Sequence, residues 1–160
     1  MRLLLSAAAV LLTAGCVGGG GGPSERQAES PEPPRPARTT CGSPIATGPL
    51  PEWAREGFTG DASMPHVMGD RGEIVAAIFG HPLSTNKPQG QNNKILWVPK
   101  KPPLPGDLVI VAKLDGTGAP ETRNVRGGPG PSILDLPKAG CWRLTLTWPE
   151  HVDTMDLVYG

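Results

Sequence analysis

The clearest hydrophobic pattern in the chain lies near its carboxyl end, at residues 141–148, CWRLTLTW. Four apolar residues alternate there with four smaller or polar ones: Trp142, Leu144, Leu146 and Trp148 against Cys141, Arg143, Thr145 and Thr147. A period of two sends successive side chains to opposite faces of a β-strand. The segment is therefore predicted to be a strand with one buried and one solvated face.

Further apolar runs predict more β-strands, and turn-forming residues lie between these runs. The stronger runs are 74–79, 94–98, 108–114 and 155–159, and weaker ones at 122–125 and 132–134 predict edge strands. Residues 50–58 instead predict one or two helical turns. Proline is tolerated in the first turn of a helix, where Pro51 lies, and Gly57 is placed to end the helix. Short strands with so little helix predict an all-β sandwich or barrel over residues 41–160.

The apolar run at residues 3–12 has a different character, because it is short and follows a single positive charge. A membrane-spanning helix needs about 20 apolar residues, so this run fits the centre of a secretory signal peptide. The run leads into TAGC, which resembles the lipobox of bacterial lipoproteins. The resemblance implies a signal peptide at 1–15 and a lipidated Cys16 as the mature N-terminus, with palmitate-type acyl chains. An ordinary secreted protein cleaved nearby is the alternative.

Glycine and proline concentrate between this signal and the domain. Glycines fill 18–22, prolines punctuate 31–36, and no apolar periodicity runs through either stretch. Such a segment cannot bury enough apolar surface to offset its ordering entropy. Residues 16–40 are therefore predicted to form a disordered Gly/Pro-rich tether that holds the domain away from a membrane.

Charge removes one class of partner. The chain has 15 basic and 15 acidic residues, and loss of Arg2 with the signal peptide leaves 14 against 15. A protein so nearly neutral lacks the excess of Lys and Arg that nucleic-acid binding requires. We therefore expect no nucleic-acid partner.

The chain has three cysteines, and lipidation of Cys16 would leave an even pair. Cys41 is the first residue after the tether, and Cys141 falls on the polar side of its predicted strand. An oxidising compartment favours a Cys41–Cys141 disulfide, which would join the start of the domain to that strand from outside the core. Two unpaired thiols are the alternative.

The stretch MPHVM offers the most suggestive chemistry. Met64, His66 and Met68 are spaced two apart, so an extended backbone places all three side chains on one face. Thioether and imidazole ligands suit Cu(I), and His81 is a candidate fourth ligand. Ordinary packing of the two methionines beside a core strand is the competing interpretation.

No pattern points to catalysis. The three histidines have no spacing relative to a serine or carboxylate that matches a known catalytic motif. The glycine-rich GGPGPS at 127–132 lacks the features of a phosphate-binding loop. The four tryptophans could include a stacking platform for sugars, but aromatic residues are scarce and the core needs them. We therefore expect neither an enzyme nor a cofactor.

Three segments carry a wider resemblance: LPEWAREGF, NNKILWV and GGPGPSILDLPKAGCWRLTLTW. They are similar to segments of actinobacterial lipoproteins of unknown function, and PKAGCW leading into a threonine-rich strand is similar to envelope proteins with immunoglobulin-like sandwiches. The resemblance implies an immunoglobulin-like β-sandwich on the extracytoplasmic face of the cell membrane. It assigns no catalytic residue. The expected role is structural or the binding of an envelope protein or small ligand, and copper handling through Met64, His66 and Met68 is the alternative.

Overall fold

The computed structural model describes residues 42–160, all of which belong to one compact unit, Ala37–Gly160. Within residues 42–160, eight strands follow one 3₁₀ turn at Glu52–Ala54. They are β1 His66–Met68, β2 Ile74–Ile78, β3 Lys94–Pro99, β4 Leu108–Leu114, β5 Pro120–Val125, β6 Pro131–Ile133, β7 Gly140–Trp148 and β8 His151–Tyr159. The predicted signal peptide at 1–15, the tether at 16–40, Cys16 and Cys41 lie outside the described residues.

The strands form two antiparallel four-stranded sheets. The first sheet has the order β1-β2-β3-β6 and the second has the order β5-β4-β7-β8. The chain therefore changes sheets between β3 and β4, between β5 and β6, and between β6 and β7. The predicted all-β sandwich is confirmed.

The main hydrophobic core lies between the two sheets. In β7 the predicted alternation is confirmed, because Trp142, Leu144, Leu146 and Trp148 are buried while the residues between them are partly or fully exposed. Trp97 of β3 and Tyr159 of β8 contribute two more large buried rings to this core.

A second, smaller hydrophobic cluster covers the outer face of the first sheet. The segment 50–62 lies over β2 and contributes Leu50, Ala54 and Ala62, which pack with Val75 and Ala77. This cover explains why all five residues of β2 are buried, since the strand has hydrophobic neighbours on both faces.

Of the one or two helical turns predicted at 50–58, one forms. Only Glu52–Ala54 forms a 3₁₀ turn, and no side chain caps its start. Gly57 follows with a φ of 86°, a left-handed conformation that glycine adopts without strain. Trp53 and Phe58 pack against the second cluster and so dock this segment on the first sheet.

The last hairpin has a tight turn. Trp148 at the end of β7 pairs with His151 at the start of β8, so Pro149 and Glu150 alone connect the strands. Glu150 has a φ of 65°, and proline followed by a residue of positive φ is the pattern of a type II turn. Strand β8 therefore begins four residues earlier than the 155–159 run predicts.

Candidate functional site

The structure places the predicted Met-His-Met set at and beside β1. His66 begins the strand and Met68 ends it, while Val67 between them belongs to the main core. Met64 and Met68 pack against the second hydrophobic cluster on the outer face of the first sheet. The two methionines therefore share one apolar layer, as expected for ordinary packing beside a core strand.

His66 is buried and held by the backbone. Its Nδ1 lies 2.9 Å from the carbonyl oxygen of Met64. Because a carbonyl oxygen only accepts hydrogen bonds, Nδ1 is the donor, and in the neutral ring Nε2 keeps its lone pair. His81, the candidate fourth ligand, lies exposed in the β2–β3 connection. In residues 42–160 no group of three or more His, Cys, Asp or Glu side chains is arranged to hold a metal ion.

Cys141 is disulfide-bonded and lies partly exposed on the outer face of the second sheet. Its proposed partner, Cys41, lies outside the described residues. The next residue, Gly42, lies beside Val158, because an ideal Cβ on Gly42 would be 3.6 Å from Val158 Cγ2. Val158 pairs directly with Cys141 across the β7–β8 ladder. The chain therefore enters the described domain next to Cys141.

Three of the four tryptophans are unavailable as a sugar-stacking platform. Trp97, Trp142 and Trp148 are at most 3% exposed and belong to the main core. Trp53 is partly buried and packs under the second cluster. The tryptophans are therefore mainly structural, as the scarcity of other aromatic residues suggests.

The best candidate site is an open cleft of about 540 Å³ beside the β7–β8 turn, here called the turn cleft. Two segments contribute charged or aromatic side chains to its walls: the β1–β2 connection gives Arg71 and Glu73, and the β7–β8 hairpin gives Trp148, Glu150 and His151. Thr147 and Val152 complete the lining. A concave surface with several converging polar groups is a typical ligand site.

Three side chains form the back of the turn cleft. The His151 ring stacks on the indole of Trp148, with 5.2 Å between centroids and 16° between planes. His151 Nδ1 lies 3.6 Å from Glu73 Oε2, so the imidazole joins the two contributing segments. Trp148 Nε1 is the single buried side-chain polar atom of the described residues that has no hydrogen-bond partner.

A buried carboxylate fixes the loop that carries Arg71 and Glu73. Asp153 of β8 is fully buried, and its Oδ1 accepts a hydrogen bond from the backbone N–H of Arg71 at 2.8 Å. Its Oδ2 accepts one from the backbone N–H of Glu73 at 2.9 Å. The loop also donates the Asp70 N–H to the Thr154 carbonyl at 2.7 Å. These hydrogen bonds therefore hold the backbone in place at both Arg71 and Glu73.

A second cleft, of about 320 Å³, lies near the opposite end of β8. Its buried polar residue, Asn93, donates to the Ser84 carbonyl and to Asp135 Oδ1 and accepts from the Ser84 N–H. The polar groups of this cleft therefore bind one another, whereas the turn cleft retains an unpartnered buried donor.

Sequence reasoning did not find the turn cleft. Its residues are spread over two segments about 80 positions apart, at 71–73 and 147–152. The one local signal was Asp153, a charged residue at an inward position of an otherwise alternating strand, which indicates a partner elsewhere in the fold.

No family model, no curated protein and no solved structure matches the chain. Among the described residues, no helix has the length and apolar character to cross a membrane.

Proposed function

We propose that the chain is a lipid-anchored cell-envelope protein that presents its β-sandwich as a non-catalytic binding domain. Lipid on Cys16 would hold it to the extracytoplasmic face of the cell membrane, and residues 16–40 would serve as the tether. The resemblance of TAGC to a lipobox supports the anchor, since a pair of acyl chains holds a protein stably on a bilayer.

The observation that carries the proposal is the disulfide at Cys141. Disulfides persist in oxidising compartments and are rare in the cytosol, so the bond supports an extracytoplasmic domain. The position of Gly42 beside Val158 supports Cys41 as the partner, because Val158 lies directly opposite Cys141.

The placement of the turn cleft agrees with a presenting role. The chain enters the domain beside Cys141, and the turn cleft lies at Trp148, seven residues further along β7. At about 3.4 Å per residue, these points are about 24 Å apart. The end that carries the turn cleft is therefore the end away from the entry of the chain.

An immunoglobulin-like topology belongs to the same proposal, and the strand order supports it. In such sandwiches strands A-B-E lie in one sheet, with D at its edge in the constant type, and C-F-G form the other sheet, to which C′ can add beside C. Strands β2-β3-β6 would correspond to the first and β5-β4-β7-β8 to the second, with β1 as an additional edge strand. The three changes of sheet fall at the corresponding connections.

Intact-mass analysis of the protein extracted from membranes tests the anchor. We expect the mass of residues 16–160 plus a diacylglyceryl group and its acyl chains. Cys141→Ser is the control, because it removes a cysteine and should keep the lipid mass. A chain that begins elsewhere and carries no lipid contradicts the proposal.

Copper handling through Met64, His66 and Met68 is the second candidate function. The hydrogen bond from His66 Nδ1 to the Met64 carbonyl favours it, because this arrangement orients an imidazole whose Nε2 serves as the metal ligand. Titration with Ag(I), a stable substitute for Cu(I), should give one site that His66→Ala abolishes and His151→Ala preserves. Absence of binding, or equal binding by both variants, contradicts this function.

A further inference from the structure

We propose that the turn cleft binds a neutral, polyhydroxylated ligand, a saccharide. The inference rests on the proposed role as a binding domain and names the ligand class for it. Four observations carry it: the charge of the lining, the fixed backbone of its loop, the unpartnered indole N–H and the mixture of polar rim and apolar wall.

The charges of the turn cleft favour a neutral ligand. Its lining has one guanidinium, from Arg71, and two carboxylates, from Glu73 and Glu150. In the described part of the chain, Arg71 and Glu150 form no ion pair. An anion would meet the two carboxylates and a cation would meet the guanidinium. A hydroxyl group both donates and accepts, so adjacent hydroxyls can satisfy a carboxylate and a guanidinium together.

The rim of the turn cleft is preorganised. Asp153 fixes the backbone at Arg71 and Glu73, and the two-residue turn fixes the backbone at Glu150. Glu150 is held at a φ of 65°, which is uncommon for a residue other than glycine or asparagine. Polar groups held in place before binding lose little entropy when a ligand arrives.

The indole N–H of Trp148 supplies a donor without a competitor. A buried donor that lacks an acceptor destabilises the free protein, and an acceptor that reaches it recovers that loss. Trp148 lines the turn cleft, but its Nε1 is covered in the free protein, so the proposal requires the cleft wall to shift before a hydroxyl oxygen can reach it. An unpartnered N–H donor therefore favours a ligand with many uncharged hydrogen-bond acceptors, such as hydroxyl oxygens.

The wall between these groups is partly apolar. Val152 is 37% exposed, and the His151 ring lies against Trp148. A sugar ring presents C–H groups on its faces and hydroxyls on its edge. The C–H face can therefore contact the imidazole while the hydroxyls reach Arg71, Glu73 and Glu150.

Two-dimensional NMR of the full mature chain, in a detergent without a sugar headgroup, tests the inference. The chain has four tryptophans, so four indole N–H signals are expected, and Trp148→Phe identifies the one from Trp148. The probes are maltose and cellobiose as neutral disaccharides, with glutamate and spermidine as charged compounds. We expect saturable shifts of the Trp148 signal with at least one disaccharide and none with the charged compounds.

Two variants locate the binding. Glu73→Gln and Glu150→Gln remove carboxylates at the surface, and each should weaken disaccharide affinity by about tenfold, because a charged acceptor binds hydroxyls more strongly than an amide. Glu56→Gln changes an exposed glutamate outside the turn cleft and should leave the affinity unchanged. If Trp148→Phe does not fold, the signal is identified by its proximity to His151 ring protons.

The inference is overturned if neither disaccharide shifts the Trp148 signal, if only the charged compounds do, or if both glutamine variants bind as the unsubstituted protein does. None of these results bears on the lipid anchor, which the mass measurement tests separately. Conversely, an unlipidated chain that binds a disaccharide would refute the anchor and support the ligand class.

Discussion

The carboxylate of Asp153 occupies the space into which a side chain on Gly69 would extend. An ideal Cβ on Gly69 would lie 2.2 Å from Asp153 Oδ2 and 2.5 Å from its Cγ. Gly69 directly follows β1 and Asp153 lies in β8, so this contact links the ends of an edge strand of each sheet. It also sets the position of the loop that carries Arg71 and Glu73.

Gly69→Ala is expected to destabilise the domain by about 1–3 kcal/mol, the usual cost of overpacking a filled site. Asp153 cannot move aside, because its oxygens accept the N–H groups of Arg71 and Glu73. Gly48→Ala is the matched control, since nothing lies within 4 Å of its added Cβ. Urea unfolding measures both variants, and an equal midpoint for the two would contradict this account of Gly69.

Asp153→Asn is expected to reduce the free energy of unfolding by about 2–3 kcal/mol, since hydrogen bonds to charged groups are strong and an amide offers only one acceptor oxygen. Asp153 accepts N–H groups on both oxygens, so the new NH₂ group must face a donor. Asp61→Asn is the control, because Asp61 accepts one exposed bond from the Ser63 N–H. A loss no larger than that of Asp61→Asn in urea unfolding would show that the buried carboxylate does not hold the loop.

The same residue shows how far the sequence predicts the fold. Strands β2, β3, β4 and β7 follow from local apolar runs, and in β7 the alternation also reports the buried face. The start of β8 does not follow, because Asp153 interrupts the alternation and its partners are about 80 residues away. The sequence does not predict the turn before β8 either. A positive φ favours glycine or asparagine, but the second central residue of this turn is Glu150.

Strand β1 and the candidate site illustrate the other limit. Residues 66–68 are too few to show a period, and β1 exists because it pairs with β2 and Ala46. The turn cleft depends on the meeting of two loops, which no local pattern encodes. Met64 and Met68 share one apolar layer, which agrees with alternation along an extended backbone, a local property.

Tyr159 predicts an alkaline transition. Burial, with a further contribution from the charge of Asp135, raises the pKa of its phenol above the ordinary value. The hydroxyl donates to the Leu134 carbonyl at 2.6 Å, which needs the proton. Above about pH 10 the unfolded chain loses this proton and the folded domain keeps it, so stability should fall as pH rises further.

The chain has one tyrosine, so phenolate absorbance reports Tyr159 alone. We expect the absorbance to appear together with unfolding and above the pH at which free tyrosine titrates. Tyr159→Phe should lose less stability than the unsubstituted protein over the same alkaline range. Titration of the native domain at the ordinary tyrosine pH would contradict the prediction.

The disulfide at Cys141 should contribute substantially to stability. Reduction is expected to add the mass of two hydrogen atoms and to lower the free energy of unfolding by about 2–5 kcal/mol. If Cys41 is the partner, Cys41→Ser and Cys141→Ser should destabilise equally and the double variant no more than either. Unequal losses, or a mass unaffected by reductant, would refute the pairing.

The most direct measurement of the central claim is membrane fractionation of cells that express Cys16→Ser, with Cys141→Ser as the control. Both variants lose one thiol, but only the first loses the proposed site of lipid attachment. We predict that Cys16→Ser leaves the membrane fraction while Cys141→Ser and the unsubstituted protein remain in it. Retention of Cys16→Ser in the membrane fraction would contradict a lipid-anchored protein.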